Sequence, residues 1–323
     1  MLSDQAIKLR KRYSKLGSLV SAFAYDPDNV SKLKVWGQRK NLDLITGLQP
    51  KAKGTKKEEL FLDGVRTWKV TTPNSDPNKV ILYYHGGAYI VGSPKGYYSL
   101  TSNLADITGT TVYVPDYRLA PEHYFPAQLE DGVKVYDALI KQEGYSSNQI
   151  ALAGESAGGN LSLTTLLKLK ELGKELPAAV LCISPWADPP ATGDTYTEAM
   201  ADKDILLGPV MKKQWNNYGH PGFAGYYVKN EDMDVTNPYI APIHGDYSGC
   251  PPVMIQVGTH ECLLADARLV KKALDQAGCV VGYREWEGMW HVFHIEVKLP
   301  ETIESFKMFG EFLNEHMKTK SFS

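Results

Sequence analysis

The stretch LAGESAGGN, residues 152–160, sets Ser156 in the frame Gly154-x-Ser-x-Gly158, after an apolar run and before a helical pattern. Glycines two residues to either side permit a sharp strand-to-helix turn that lifts a serine hydroxyl above a sheet, the setting of a nucleophile. Such a hydroxyl attacks a carbonyl only if a base takes its proton and donors hold the oxyanion that forms. The donors are expected from YYHGGAYIVGS, residues 83–93, at the end of an earlier apolar run. Small residues there let the N–H groups of Gly86 and Gly87 approach an oxyanion, joined by that of Ala157 at the start of the next helix. The plain alternatives are a helix N-cap at Ser156 and a strand-ending turn at 86–87, and neither explains why both loops fall at strand ends.

Eight histidines compete for the base. His123 sits in APEHYFP, whose Pro121 and Pro126 suggest a rigid turn. His291, in EGMWHVFH (287–294), follows the last strand pattern and precedes the last helix, completing the order serine, acid, histidine. His294 is its rival. The acid belongs in the loop after PVMIQVG (252–258), from which a carboxylate reaches the histidine ring on the side away from the serine. Glu261 and Asp266 are both available there, Asp266 lying inside the helix pattern LADARLVKKAL, where it would favour the helix N-terminus. The run His260-Glu261-Cys262 also holds metal-binding types. Three consecutive side chains converge poorly on one tetrahedral ion, and no H-E-x-x-H partner exists, so no metal is expected. Cys262 lacks the strained turn and glycines a thiol nucleophile would use, and it reads, with His260, as packing around the acid.

Positioning these groups requires strands and helices in alternation. EELFL and RTWKVTT flank Asp63-Gly64 as two early strands, followed by runs at 79–84, 110–115, 149–154, 178–184, 252–258 and 280–286. Helix patterns lie between them at about 97–108, 126–142, 157–172, 264–277 and 303–318. Near-continuous apolar strands alternating with helices predict an α/β fold, a mostly parallel sheet of about eight strands covered on both faces. Two regions fall outside the alternation. Residues 1–50 are helical, ending before the Lys- and Gly-rich PKAKGTKK, and Leu2, Ala6, Leu9, Tyr13, Leu16, Val20 and Phe23 make an amphipathic stripe. A basic start, an apolar stretch and Ala22-x-Ala24 imitate a signal peptide, but Gly17, Ser18 and Ser21 dilute the apolar part. Residues 187–250 lack strand periodicity and carry Tyr196, Trp215, Tyr218, Phe223, Tyr226 and Tyr227, which predicts an insertion or lid. Three domain segments are expected: 1–50, the catalytic body 51–186 with 251–323, and 187–250.

The chain has 323 residues, 43% hydrophobic and 22% charged, with net charge −2. That is enough for one large domain, and it supplies no general attraction to nucleic acid and no apolar run long enough for membrane insertion. Four cysteines without ligand-like spacing read as reduced thiols of a cytoplasmic protein.

Together HGGAY, DYRLAPEHYFPA (116–127), GESAGG and EGMWHVFH resemble the hormone-sensitive-lipase-like family of α/β-hydrolases, in order across roughly residues 58–318. The resemblance implies an α/β-hydrolase fold with a helical cap made by 1–50 and 187–250. It implies supporting roles for His85, Asp116 and Glu155, with Asp116 and Arg118 holding one segment. Aligning Leu263 with the leucine of the family's D-x-L-x-D places Glu261 on the acid. Ala88 stands where many members have a third glycine, which narrows the oxyanion hole while keeping its N–H. The implied activity is that of a serine carboxylesterase acting on small esters of short to medium acyl chains, without cofactor. Trp186, Met289 and Trp290 are candidates to line the pocket, and a homodimer is the family's assembly. Amidase, lactonase or deacetylase chemistry would use the same groups, and a non-catalytic small-ligand receptor or interaction scaffold is the reading of another class.

Overall fold

The computed structural model describes residues 2–15, 32–218 and 224–317. Leu16, Val20 and Phe23 of the expected stripe, the Ala22-x-Ala24 feature and Phe223 lie outside these residues. Eight strands form one sheet: β1 (Lys56–Leu62), β2 (Val65–Thr71), β3 (Asp76–Tyr84), β4 (Thr110–Pro115), β5 (Ile150–Glu155), β6 (Ala179–Ile183), β7 (Val253–Gly258) and β8 (Val281–Trp286). Their spatial order is β1-β2-β4-β3-β5-β6-β7-β8. β1 and β2 pair antiparallel through Asp63 and Gly64, both at positive φ, as the twist of a two-residue hairpin requires. β2 pairs antiparallel with β4, and every later pairing is parallel.

Parallel strands need helical crossovers, which cover both faces. Helices α3 (Tyr98–Thr108) and α9 (Pro300–His316) pack on one face, where Leu100, Leu104, Phe306 and Phe309 meet Ile81, Val112 and Leu181. Helices α4 (Ala127–Lys141), α5 (Ala157–Glu171) and α8 (Leu264–Gln276) pack on the other, burying Val135, Leu161 and Val270 against Leu82, Leu152 and Ile255. All residues of β4, β5, β6 and β7 are buried, which accounts for their unbroken apolar sequences. The last helix begins three residues before the expected start because Pro300 takes its first turn, where no N–H is needed.

Two segments stand on the ends of the strands. Helices α1 (Asp4–Lys15) and α2 (Lys32–Gly47) precede the sheet, and helices α6 (Glu198–Lys203) and α7 (Gly208–Tyr218) lie in the excursion between β6 and β7. The excursion shows no strand among its described residues. Ala6 of α1 is buried in a cluster with Trp286, Met289, Trp290 and Phe293, with Leu2, Leu9 and Tyr13 beside it. Ser3 closes the packing through its N–H and hydroxyl, which donate to Glu301 at 2.7 and 3.0 Å. Among the described residues no helix is long and apolar enough to cross a membrane, and the four cysteines are free thiols.

Candidate active site

Ser156 stands between β5 and α5 at φ 55°, ψ −119°, a strained conformation that the surrounding packing holds. The turn is so tight that a Cβ on Gly158 would fall 1.9 Å from the Tyr84 carbonyl oxygen, so only glycine fits. His291, just past β8, brings Nε2 to 3.1 Å from Ser156 Oγ and Nδ1 to 2.8 Å from Glu261 Oε2. Val292, next in the chain, adopts the left-handed conformation, φ 48° and ψ 45°. The other carboxylate oxygen of Glu261, Oε1, accepts from the Ser184 hydroxyl at 2.9 Å and the Gly258 N–H at 2.5 Å. Glu261 is fully buried, and each of its oxygens is committed. Burial alone lowers the His291 pKa, but the hydrogen bond and charge of Glu261, reinforced by Asp204 and Glu155, outweigh it and raise the pKa above its ordinary value.

The other candidates point elsewhere. Asp266 is buried, and its carboxylate accepts from the N–H groups of Ala187 and Asp188 at 2.8 and 2.7 Å and from Tyr196 at 2.8 Å. It therefore clamps the start of the excursion while standing in the first turn of α8, the place expected of it. Burial pushes its pKa up to about 7 against those hydrogen bonds. His294 Nε2 lies 2.7 Å from Ser305 Oγ between Phe293 and Phe306, and burial takes its pKa down to about 3. The consecutive residues 260–262 diverge: His260 Nδ1 meets Arg10, Glu261 turns to His291, and Cys262 is buried with its carbonyl held by Thr195. Among the described residues no group of three or more metal-ligating side chains converges.

The oxyanion loop departs from the sequence expectation at one donor. Gly86 N–H donates to Glu155 Oε1 and is not directed at the serine. Glu155 Oε2 accepts from Tyr83 at 2.8 Å, and burial pushes this carboxyl up to about 7 although the hydrogen bonds of Tyr83, Tyr97 and Gly86 pull it down. Gly87, at φ 110°, turns back so closely that a Cβ there would meet the Val91 carbonyl oxygen at 2.2 Å. Gly87 lines the cavity above Ser156, and Ala157 is the first residue of α5, whose N–H has no intrahelical partner. Of the three expected donors, Gly86 is thus committed to Glu155, while Gly87 stands at the cavity and Ala157 at the start of α5. His85 braces the loop: it stacks on Tyr117 at 4.3 Å, and its Nδ1 lies 2.8 Å from the Gly86 carbonyl. Asp116 and Arg118 do not pair. Asp116 meets Arg66 at 3.1 Å, whereas Arg118 takes Asp131 and Glu130, each at 2.8 Å, because its side chain lies along α4.

Sequence reasoning passed over Ser184, which joins β6 to Glu261, and Asp204, at the end of α6. Asp204 is 1% exposed, and it accepts from the N–H groups of Cys262 and Leu207, both at 3.0 Å. Burial pushes its pKa up to about 6, while the positive field of His291 and its hydrogen bonds oppose this. Nothing local marks a functional aspartate in KDILL. Only its contact across 58 residues of chain does so.

A cavity of about 650 Å³ opens over Ser156. Trp186 and Trp290 line it, joined by Leu9 and Tyr13 of α1, Leu42 and Ile45 of α2, and Leu207 and Val210 of the excursion. Met289 lies behind the wall in the cluster with Ala6. Helix α2 is tied to the oxyanion loop by Arg39, whose guanidinium donates to the carbonyls of Ile90 and Ala120 at 2.7 and 2.9 Å.

A family described as alpha/beta hydrolase fold matches residues 81–295, two thirds of the sequence and every element that carries the serine, the carboxylate and the histidine. The chain belongs to the alpha/beta hydrolase fold family. This α/β-hydrolase is 38% identical to an acetyl-hydrolase of Streptomyces hygroscopicus over 75% of its own length and 77% of the relative's. It is 33% identical to the esterase LipU of Mycobacterium tuberculosis, over 75% and 80% of the two chains. Among solved structures, an esterase from the bacterial hormone-sensitive lipase family superposes with a TM-score of 0.82 at 32% identity, covering 95% of this chain and 98% of that one. The resemblance first read from four short motifs thus extends over nearly the whole hydrolase.

Proposed function

We propose that this α/β-hydrolase is a serine carboxylesterase that works through an acyl-enzyme on Ser156. One observation carries the reading: a continuous hydrogen-bonded chain, 3.1 Å from Ser156 to His291 and 2.8 Å from His291 to Glu261, at the floor of an apolar cavity. In this mechanism His291 Nε2 takes the hydroxyl proton as Oγ attacks the ester carbonyl. Glu261 holds the proton on Nδ1 and stabilises the imidazolium that forms. The N–H groups of Gly87 and Ala157 receive the developing oxyanion, with α5 adding its positive end. His291 returns the proton to the leaving alkoxide, and a water activated by the same ring then releases the acid.

Residues 1–50 and 187–250 act as a cap that excludes water and limits acyl length, a reading supported by their shared lining of the cavity. Small acyl groups are favoured by the acetyl-hydrolase to which the chain is similar and by the bulk of Trp186 and Trp290 at the cavity wall. Supporting roles fall to His85, which braces the loop, and to Glu155, which fixes Gly86. The test is nitrophenol release from p-nitrophenyl acetate, butyrate and laurate, with mass-spectrometric mapping of an organophosphate adduct. Release from the two short esters and an adduct on Ser156 are expected. Ligand binding without release, or an adduct on another residue, would sink the proposal.

A further inference from the structure

Residues 1–57 hold 13 of the 35 Lys and Arg but only four of the 37 Asp and Glu. This segment is net positive by nine in a chain whose total is −2, so the remainder is strongly acidic. Among the described residues the same segment also bares a run of apolar side chains: Trp36 is 58% exposed, Leu44 63%, Ile45 44% and Leu48 74%. Trp36, Lys40 and Leu44 follow one another at four-residue steps along α2, turned away from the buried Val35, Gln38 and Thr46. Beside this stripe runs a groove lined by Lys40, Lys51, Lys57 and Lys95 with Leu44 and Leu48, against one carboxylate, Asp43. Asp43 already accepts from Ser93 at 2.7 Å. Ile45 and Leu48 belong both to this bare face and to the rim of the cavity above Ser156.

A run of bare apolar side chains along one helix and the turn after it marks something that covers it. Their ring of lysines selects an anionic partner, and a nucleic acid would leave Leu44, Ile45 and Leu48 in water. A lipid surface satisfies both halves: apolar side chains enter the boundary between headgroups and acyl chains while lysines meet anionic headgroups. We propose that the outer face of α2 and the turn after it dock on an anionic lipid–water interface, with the cavity mouth turned toward it. Docking is independent of the chemistry at Ser156, whereas the delivery of a lipid-borne ester to the cavity rests on the function proposed above.

Co-sedimentation of the full chain with vesicles of mixed phosphatidylglycerol and phosphatidylcholine, against phosphatidylcholine alone, tests this. Binding at least about tenfold tighter to the anionic vesicles is expected, lost in about 0.5 M salt where the screening length falls to a few ångströms. The double substitution Trp36→Ser, Leu44→Ser should weaken that binding about tenfold. Neither side chain lines the catalytic cavity, so turnover of dissolved p-nitrophenyl acetate should persist in this variant. Equal or absent binding to the two vesicle types overturns the proposal. So does light scattering that finds a dimer in the wild type and a monomer in the double variant, since a second copy would then cover the face. Vesicle binding without nitrophenol release would leave docking standing and remove only the esterase reading.

Discussion

Replacing Glu261 by glutamine changes one oxygen into an NH2 group, and the surroundings dictate which. Oε1 accepts from Gly258 N–H at 2.5 Å and from Ser184 at 2.9 Å, so an NH2 placed there would face a backbone donor at contact distance. The amide oxygen must take that position, and the NH2 then points at His291 Nδ1. To accept from it, Nδ1 must give up its proton, which moves to Nε2, the nitrogen 3.1 Å from Ser156 Oγ. Nε2 so protonated cannot act as the base. The equivalent loss of the correct tautomer costs about 10⁴ in kcat in serine hydrolases, or about 5 kcal/mol of transition-state stabilisation. Stability should change little, because the Ser184 and Gly258 hydrogen bonds survive. Steady-state hydrolysis of p-nitrophenyl butyrate and a urea unfolding curve measure the two quantities. A Glu261→Gln variant that keeps more than about a tenth of wild-type kcat refutes the reasoning, as does a comparable fall in Asp266→Asn with an unshifted midpoint.

The remaining expectations follow from the same geometry. His291 works as a base only when neutral, and its pKa lies above the ordinary 6.5; the acid limb of kcat/KM should therefore begin above that value and move to lower pH in Asp204→Asn, which removes a charge favouring the imidazolium. A pH profile unmoved by Asp204→Asn would show that the carboxylate does not act on His291. Asp266→Ala strips three buried donors of their acceptor and should cost about 3 kcal/mol or more in urea unfolding, with little change in kcat for the folded fraction. Gly158→Ala forces a Cβ into the Tyr84 carbonyl oxygen and should yield insoluble or inactive protein; a soluble variant with full turnover would show that the elbow is looser than described.

Local pattern and distant partnership divide what the sequence revealed from what it hid. The strands from β4 to β7 were legible because burial on both faces leaves unbroken apolar runs, and the elbow because only glycine fits beside Tyr84. Ser156 and His291, singled out from motif order, and Glu261, placed by the family resemblance, meet in one hydrogen-bonded chain. Partner choice among side chains was less legible, since tertiary packing decides it. Asp116 and Arg118 are two residues apart, yet each finds its partner on another element. The Gly86 N–H was assigned to an oxyanion from its loop alone, but β5 delivers the buried Glu155 to it. Asp204 carried no signal because its neighbours in sequence say nothing of Cys262.

The clasp between Ser3 and Glu301, with α1 set against residues 286–293, has a consequence for how the molecule comes into being. On the ribosome, residues 4–15 emerge long before residues 286–301, which they dock on. Helix α1 cannot take up this packing until a loop of nearly 300 residues can close. The wall of the cavity formed by Leu9 and Tyr13 thus closes only once the segment that carries His291 is in place, so the serine gains its base and its chamber together.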